Sequence, residues 1–251
     1  MSVSGGLKVY EELKEIIKSA RSIVFFGGAG VSTESGIPDF RSETGLYNAK
    51  HDYGRRPEEM LDIDFFERDP VTFYDYYKKN LIAANAQPND AHRALAKLEE
   101  QGKLTAVVTQ NIDGLHQKAG SRTVYELHGS VMRNRCRHCG RSFGLDYIMD
   151  EANCRNGVPY CPCGGMIKPE VTLYGEMLDE DCINGAVRAI SQADVLIVGG
   201  TSLVVYPAAG FVGYFRGRKL VVINKSSTGI DSEADLVIHD SIGQVLGACV
   251  L

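Results

Sequence analysis

The amino-acid sequence predicts an α/β protein of the Rossmann type, in which a doubly wound parallel sheet carries two inserted modules. The first observation is a set of short apolar runs, rich in β-branched residues, in which polar residues do not alternate. Strands of this composition are typical of a parallel sheet that is covered on both faces. The second observation is that helix-like stretches separate several of these runs, as right-handed crossovers require. The third is that two segments, 42–87 and 131–175, interrupt this alternation.

The periodicity assigns the elements in chain order. The predicted strands span residues 23–26, 104–109, 124–127, 195–198, 220–223 and 236–238. The predicted helices span residues 7–20, 90–102, 111–119, 179–192, 206–217 and 241–249. Residues 42–87 are aromatic and charged without a strand pattern, which predicts a cofactor loop followed by a small helical module. We therefore expect a Rossmann-type domain made of residues 1–41, 88–130 and 176–251, with residues 131–175 forming a zinc-binding module.

The composition excludes several classes of function. The 251 residues are 44% hydrophobic and 24% charged, and the formal net charge is −5. This negative charge gives no electrostatic basis for binding nucleic acid or an anionic membrane. No apolar run is long enough to span a bilayer, and residues 1–6 lack the pattern of an export signal. We therefore expect a cytoplasmic protein with no membrane association and no direct nucleic-acid binding.

Four of the seven cysteines form two close pairs within the segment 131–175. Cys136 and Cys139 form a C-x-x-C pair, Cys161 and Cys163 form a C-x-C pair, and a glycine follows each pair. Two such pairs match the ligands of a closed tetrahedral zinc site that stabilises a segment too small to have its own core. Cys154 lies between the pairs and is an alternative for one member of the second pair. Four thiolates leave no coordination position for water, so the expected zinc is structural.

Glycines directly follow the first predicted strand. Residues 27–32 read Gly-Gly-Ala-Gly-Val-Ser, and the polar residues 32–35 have the character of a first helical turn. A strand, a glycine turn and a helix N-terminus together expose backbone N–H groups that suit a pyrophosphate. The spacing is not G-x-G-x-x-G, so a tight turn without a ligand is the alternative.

Polar residues also follow three other predicted strands, at 109–113, 199–202 and 224–226. Because ligands of open α/β sheets bind at the carboxyl ends of the strands, these segments predict one dinucleotide site. Bare backbone and hydroxyl groups suit its phosphates, and Asn and Ser side chains suit its ribose hydroxyls. His128 closes the strand 124–127 and is a candidate general base, although a lone histidine is more often structural. Residues 39–41 form either a plain turn with an ion pair or a lid over a bound cofactor.

In these motifs the chain resembles the sirtuins, the NAD-dependent protein deacylases. The similarity extends over residues 20–245 and includes, in order, residues 28–41, 109–116 and 127–129, the two cysteine pairs, and residues 200–203 and 222–224. The resemblance implies a Rossmann-type domain with NAD as the cofactor and structural zinc. It also implies that acyl-lysine proteins or peptides are the partners and that they bind with NAD in a cleft.

The resemblance assigns roles to individual residues. It implies that His128 is the general base and that Asn111 and Asp113 belong to the catalytic set. The residues that it places in contact with NAD are Gly28, Ala29, Gly30, Ser32, Thr33, Asp39, Phe40, Arg41, Gln110, Asn111, Ile112, Asp113, His128, Gly200, Thr201, Ser202, Asn224 and Ile242.

The implied reaction transfers the acyl group from lysine to ADP-ribose and releases nicotinamide, with His128 accepting a proton from a ribose hydroxyl. The peptide is expected to add as an extended strand between residues 171–175 and 203–206. Sirtuins that prefer acidic acyl chains resemble one another in a Tyr-x-x-Arg pair. Here Tyr77 takes the place of the arginine after Tyr74, which favours acetyl or other neutral acyl groups, with Lys78 as an alternative cation.

Two rival readings stay open from the residues alone. A protein ADP-ribosyltransferase or an NAD-hydrolysing enzyme is the first alternative, because both begin by breaking the same glycosidic bond. The same scaffold would also serve a longer-chain deacylase. A non-enzymatic zinc-knuckle module that senses a nucleotide is the second alternative.

Overall fold

The computed structural model describes residues 3–39 and 53–251. Its helices are α1 (Val3–Ser19), α2 (Pro57–Met60), α3 (Ile63–Arg68), α4 (Pro70–Asn80), α5 (Asp90–Glu100), α6 (Leu115–Ala119), α7 (Leu145–Met149), α8 (Glu180–Gln192) and α9 (Ile242–Val250). Its strands are β1 (Ile23–Gly27), β2 (Leu104–Thr109), β3 (Val124–Glu126), β4 (Gly129–Cys136), β5 (Ser142–Phe143), β6 (Cys154–Arg155), β7 (Val158–Pro159), β8 (Ile167–Val171), β9 (Val195–Gly199), β10 (Lys219–Ile223) and β11 (Leu236–Ile238). Within the described ranges, no helix combines the length and the apolar composition needed to cross a membrane.

A six-stranded parallel sheet forms the centre of the molecule. Its strand order is β11-β10-β9-β1-β2-β3, so β1 lies between β9 and β2. The apolar strands are buried on both faces: Phe25 packs with α1, α5 and α9, and Phe26 packs with α8 on the other side. In the sheet register Gly27 is level with both Thr109 and Gly199. The polar segments that follow β1, β2 and β9 therefore leave the sheet side by side.

The two inserted segments share one hydrophobic core. The second segment contains an antiparallel sheet of order β5-β4-β8 and the paired strands β6 and β7. Phe66 and Tyr74 of the helical segment pack in the same apolar cluster as Ile148 and Ile167 of the cysteine-containing segment. Tyr74 also donates a hydrogen bond from its hydroxyl to the carbonyl of Ile167. The helical and cysteine-containing segments therefore stabilise each other. The expected division of the chain into a Rossmann-type domain and two inserted modules stays a prediction.

Three predicted helices differ from the observed elements. The segment predicted as a helix at 206–217 contains a 3-10 helix, Ala208–Tyr214, whose two glycines lower its α-helix propensity. Helix α6 begins only at Leu115, because Gly114 has a φ of +73° and the Asp113 carboxylate accepts the Leu115 N–H. Residues 32–35 do not open a long helix: two 3-10 turns follow β1, at Ala29–Val31 and Thr33–Ser35.

Candidate functional site

A cleft of about 1120 Å³ opens at the carboxyl edge of the parallel sheet. The ends of β1, β2, β9 and β10 line one side, and residues 171–178, which begin with the last residue of β8, line the other. The predicted site residues that line it are Ala29, Gly30, Ser32, Thr33, Asp39, Gln110, Asn111, Ile112, Asp113, His128, Gly200, Thr201, Ser202, Asn224 and Ile242. Gly28 lies behind this surface, against Thr201. Phe40 and Arg41 are outside the described residues.

Two loops meet without side chains between them and form what we call the glycine floor, residues 28–30 and Gly200. The Gly30 N–H donates to the Gly200 carbonyl at 2.8 Å. A Cβ on Gly30 would lie 2.8 Å from the Gly200 Cα, and a Cβ on Gly200 would lie 2.4 Å from the Val31 nitrogen. Only glycine allows this approach, and Gly200 also has a φ of +60°. The floor therefore leaves bare backbone facing the cleft, as a dinucleotide phosphate requires.

A buried hydrogen-bond network connects β1 to β2 beside this floor. The Ser32 hydroxyl donates to the Asp113 carboxylate at 2.6 Å and accepts from the Asn111 side-chain amide at 3.0 Å. Ser32 is only 1% exposed. The backbone N–H of Asn111 is in turn held by the Thr109 hydroxyl at 3.0 Å. The network fixes the positions of two of the predicted catalytic side chains, Asn111 and Asp113.

His128 lies between β3 and β4, where both its side chain and its backbone are held. Its Nδ1 lies 3.0 Å from the Gln110 carbonyl, which can only accept, so Nδ1 carries the proton and Nε2 is the free acceptor. The His128 carbonyl accepts the Thr172 N–H at 3.0 Å, which ties the histidine to the end of β8. Burial lowers the pKa of His128 below its ordinary value, against the opposing effect of the hydrogen bond to Gln110. The imidazole is therefore neutral near pH 7, as a general base must be.

The four paired cysteines converge into one cluster. The sulfurs of Cys136 and Cys163 are 3.5 Å apart, those of Cys139 and Cys161 are 3.6 Å apart, and all four lie within 4.8 Å of one another. Tetrahedral zinc with Zn–S bonds of about 2.3 Å would place its sulfurs about 3.8 Å apart, so the cluster fits this metal. The backbone N–H groups of Cys139 and His138 donate to Cys136 and lower its pKa to about 6, which favours the thiolate.

Cys154 is not part of the four-cysteine cluster. Its sulfur lies 3.4 Å from the Lys78 ammonium and also contacts the Asp150 carbonyl at 3.5 Å. Lys78 in turn forms an ion pair with Glu151 at 3.1 Å, and its side chain is only 12% exposed. Neither Tyr77 nor Lys78 lines the cleft. Lys78, the alternative cation for an acidic acyl chain, is therefore already paired with Glu151.

Several cleft residues were not predicted from the sequence. Asp240 follows β11 at the same sheet edge, so the strand-end argument that found residues 224–226 would have found it. Asp240 also accepts a hydrogen bond from the Tyr10 hydroxyl at 3.0 Å. Leu61 and Leu81 come from the helical segment, and nothing in their local sequence marks them as cleft residues.

The sheet edge, the glycine floor and the four-cysteine cluster define a Rossmann-type dinucleotide-binding protein with a zinc module. A family model described as the Sir2 family matches residues 28–207. The chain belongs to the Sir2 family.

Named relatives and solved structures agree with this assignment. An NAD-dependent protein deacetylase of Clostridium perfringens is 61% identical over 241 residues, covering 95% of this chain and 97% of the relative. A protein of the same description from Clostridium acetobutylicum is 59% identical and covers 94% and 95% of the two chains. Among solved structures, a complex of a Sir2 homologue with NAD has a TM-score of 0.83 at 40% identity and covers 96% of this chain and 92% of that chain. A Sir2 complex with a p53 peptide and NAD has a TM-score of 0.82 at 38% identity, with 94% and 95% coverage.

Proposed function

We propose that this chain is an NAD-dependent protein-lysine deacetylase that transfers the acyl group to ADP-ribose and releases nicotinamide. The observation that carries the proposal is one cleft that joins the glycine floor to the neutral His128 imidazole. The names of the relatives from Clostridium perfringens and Clostridium acetobutylicum support the same activity. When bound, NAD supplies the ribose that receives the acyl group.

The bare backbone of the glycine floor lets the phosphates of NAD approach closely, while the N–H groups of Gly30 and Gly200 stay bonded to the carbonyls of Gly200 and Ile223. Thr201 contributes a hydroxyl that is already positioned, because its Oγ1 accepts the Leu203 N–H at 3.2 Å and lies 3.4 Å from the Gln110 amide. Asn224 lies at the end of β10, beside Ile242 at the start of α9, and these two residues hold the adenosine end. Phe40 and Arg41 are further proposed contacts, on sequence grounds only.

His128 acts as the general base at a ribose hydroxyl. The hydrogen bond from Nδ1 to Gln110 leaves the Nε2 lone pair as the proton acceptor, and burial keeps the ring neutral. Asn111 and Asp113 orient the reacting ribose and nicotinamide, and Ser32 holds both side chains in place. These are the catalytic residues that we assign.

The acylated peptide binds between Gly175 and Val205, which line the cleft from opposite sides. Within the described part of the chain, the backbone N–H and C=O of Gly175 and the N–H of Val205 make no hydrogen bond. Such open backbone groups suit strand addition. Leu61 and Leu81 line the cleft in the helical segment, and Lys78 points to Glu151 instead, which favours acetyl over acidic acyl groups.

Cys136, Cys139, Cys161 and Cys163 hold a structural zinc ion, and Cys154 is not a ligand. A cytoplasmic location and the absence of direct nucleic-acid binding stay predictions, supported by the reduced-cysteine motif and the net charge of −5.

Mass spectrometry of an acetyl-lysine peptide incubated with the protein and NAD tests the activity. We expect loss of the acetyl group, together with free nicotinamide and acetyl-ADP-ribose. A peptide that gains ADP-ribose would favour the ADP-ribosyltransferase, and NAD consumption with an unchanged peptide would contradict deacylation. The variant His128→Ala should lose turnover but retain NAD binding. The variant would keep full turnover if His128 were not the base.

A further inference from the structure

The cleft rim that follows β8 carries an exposed carboxylate, that of Glu180. Glu180 is exposed, lines the cleft and begins α8. The acidic residues around it are already engaged: Asp179 accepts the Cys182 N–H at 2.7 Å, and Glu176 forms an ion pair with Lys168 at 2.8 Å. Among residues 3–39 and 53–251, nothing forms a hydrogen bond or an ion pair with the Glu180 carboxylate. Its charge is therefore available to a molecule that enters the cleft.

The cleft that Glu180 lines also offers apolar contacts that suit a long cationic side chain. Met177 and Tyr206, which line the same cleft, are 86% and 75% exposed, a high exposure for large apolar side chains. They offer apolar contact to the methylene stem of lysine or arginine, whose charged end requires an acidic partner. The cationic lining residue of the described cleft, Lys225, follows Asn224 at the end that we assign to adenosine, and it forms no ion pair with Glu180 in the described structure.

We propose that Glu180 is a specificity-determining residue that selects peptides carrying lysine or arginine next to the acyl-lysine. The inference rests on the proposed function, because the peptide must run between Gly175 and Val205 for its neighbouring residues to reach this rim. Lysine acylation removes the positive charge of the modified residue itself, so the flanking residue provides the charge that Glu180 attracts. A peptide with an acidic flanking residue is repelled by the same carboxylate.

The size of the peptide preference follows from the solvent exposure of the ion pair between Glu180 and the flanking lysine or arginine. An exposed ion pair strengthens peptide binding by a small factor, and an exposed like-charge contact weakens it by a small factor. Peptides with Arg and peptides with Glu beside the acyl-lysine should therefore differ about threefold to tenfold in kcat/KM. The preference should disappear in about 1 M salt, where the Debye length is about 3 Å. A carboxylate at this position also stabilises the α8 N-terminus, and that role alone would alter Tm without altering peptide preference.

The experiment compares kcat/KM for one acetyl-lysine peptide with Arg, Gln or Glu at each adjacent position, at saturating NAD. The wild-type protein should prefer Arg over Glu by the factor above, Glu180→Gln should bring the ratio close to one, and Glu180→Arg should invert it. Asp181→Asn is the matched control, because Asp181 is an exposed acidic neighbour in the same helical turn that does not line the cleft. This control should keep the wild-type ratio.

Two results would overturn the inference: equal kcat/KM for all peptides with the wild-type protein, or an unchanged ratio in Glu180→Gln. In both cases the peptides are still deacetylated and the proposed function stands. If no peptide loses its acetyl group in the presence of NAD, the proposed function fails first. The two failures are therefore distinguishable.

Discussion

Replacing Gly200 with alanine should separate the two loops of the glycine floor and weaken NAD binding. The new Cβ would lie 2.4 Å from the Val31 nitrogen and 2.7 Å from the Gly30 carbonyl carbon, so the backbone must move. The movement breaks the hydrogen bond from Gly30 to Gly200, worth about 1 kcal/mol. A left-handed φ costs an L-residue about 1–2 kcal/mol more. We expect the free energy of unfolding to fall by about 2–3 kcal/mol.

Gly102→Ala separates these two contributions. Gly102 also has a positive φ, +71°, but its Cβ would meet nothing within 4 Å, so this variant carries the backbone strain alone. Thermal melts should show a Tm drop of about 4–12 °C for Gly200→Ala, at about 2–4 °C per kcal/mol, and a smaller drop for Gly102→Ala. Titration calorimetry should show that NAD binds Gly200→Ala at least about tenfold more weakly, which corresponds to about 1.4 kcal/mol. Equal Tm losses in the two variants and an unchanged NAD Kd would refute the role of the floor.

Three further predictions concern the base, the metal and the acyl group. When kcat/KM is plotted against pH, activity should fall on the acid side with a midpoint below about 6.5, the ordinary histidine pKa. The reason is that burial lowers the pKa of His128 and activity needs the neutral ring. A midpoint above this value would contradict the assignment of His128 as the base. Cys136→Ser should lose zinc and turnover while Cys154→Ser keeps both, as metal analysis and the peptide assay would show. Lys78→Met should leave the preference for acetyl over succinyl peptides unchanged, whereas a selective change in succinyl turnover would mean that Lys78 reaches the acyl chain.

The predicted site residues that line the cleft share a local signal. Gln110, Gly200 and Asn224 each directly follow an apolar strand, and parallel strands place such residues at one edge without further information. Leu61 and Lys78 had no such signal. Whether Leu61 faces the cleft and Lys78 faces Glu151 depends on how the helical segment packs on the cysteine-containing segment, a long-range contact that periodicity does not encode. Close contacts such as that of the Glu34 carboxylate with the Gly243 N–H, at 2.7 Å, are likewise decided only when distant segments meet.

The antiparallel pair β4 and β8 explains why a structural metal would control catalysis from a distance. At one end of the pair, Cys136 is opposite Ile167; at the other, Gly129 is opposite Val171. Gly129 directly follows His128, whose carbonyl accepts the Thr172 N–H. Loss of the zinc would therefore loosen the pairing of β4 with β8. This pairing ends beside the His128 imidazole and beside the segment that follows β8, where we propose that the peptide binds. The glycine floor belongs to the parallel sheet, whose two cores contain none of the four cysteines. For this reason, metal loss in Cys136→Ser should reduce kcat more strongly than it weakens NAD binding.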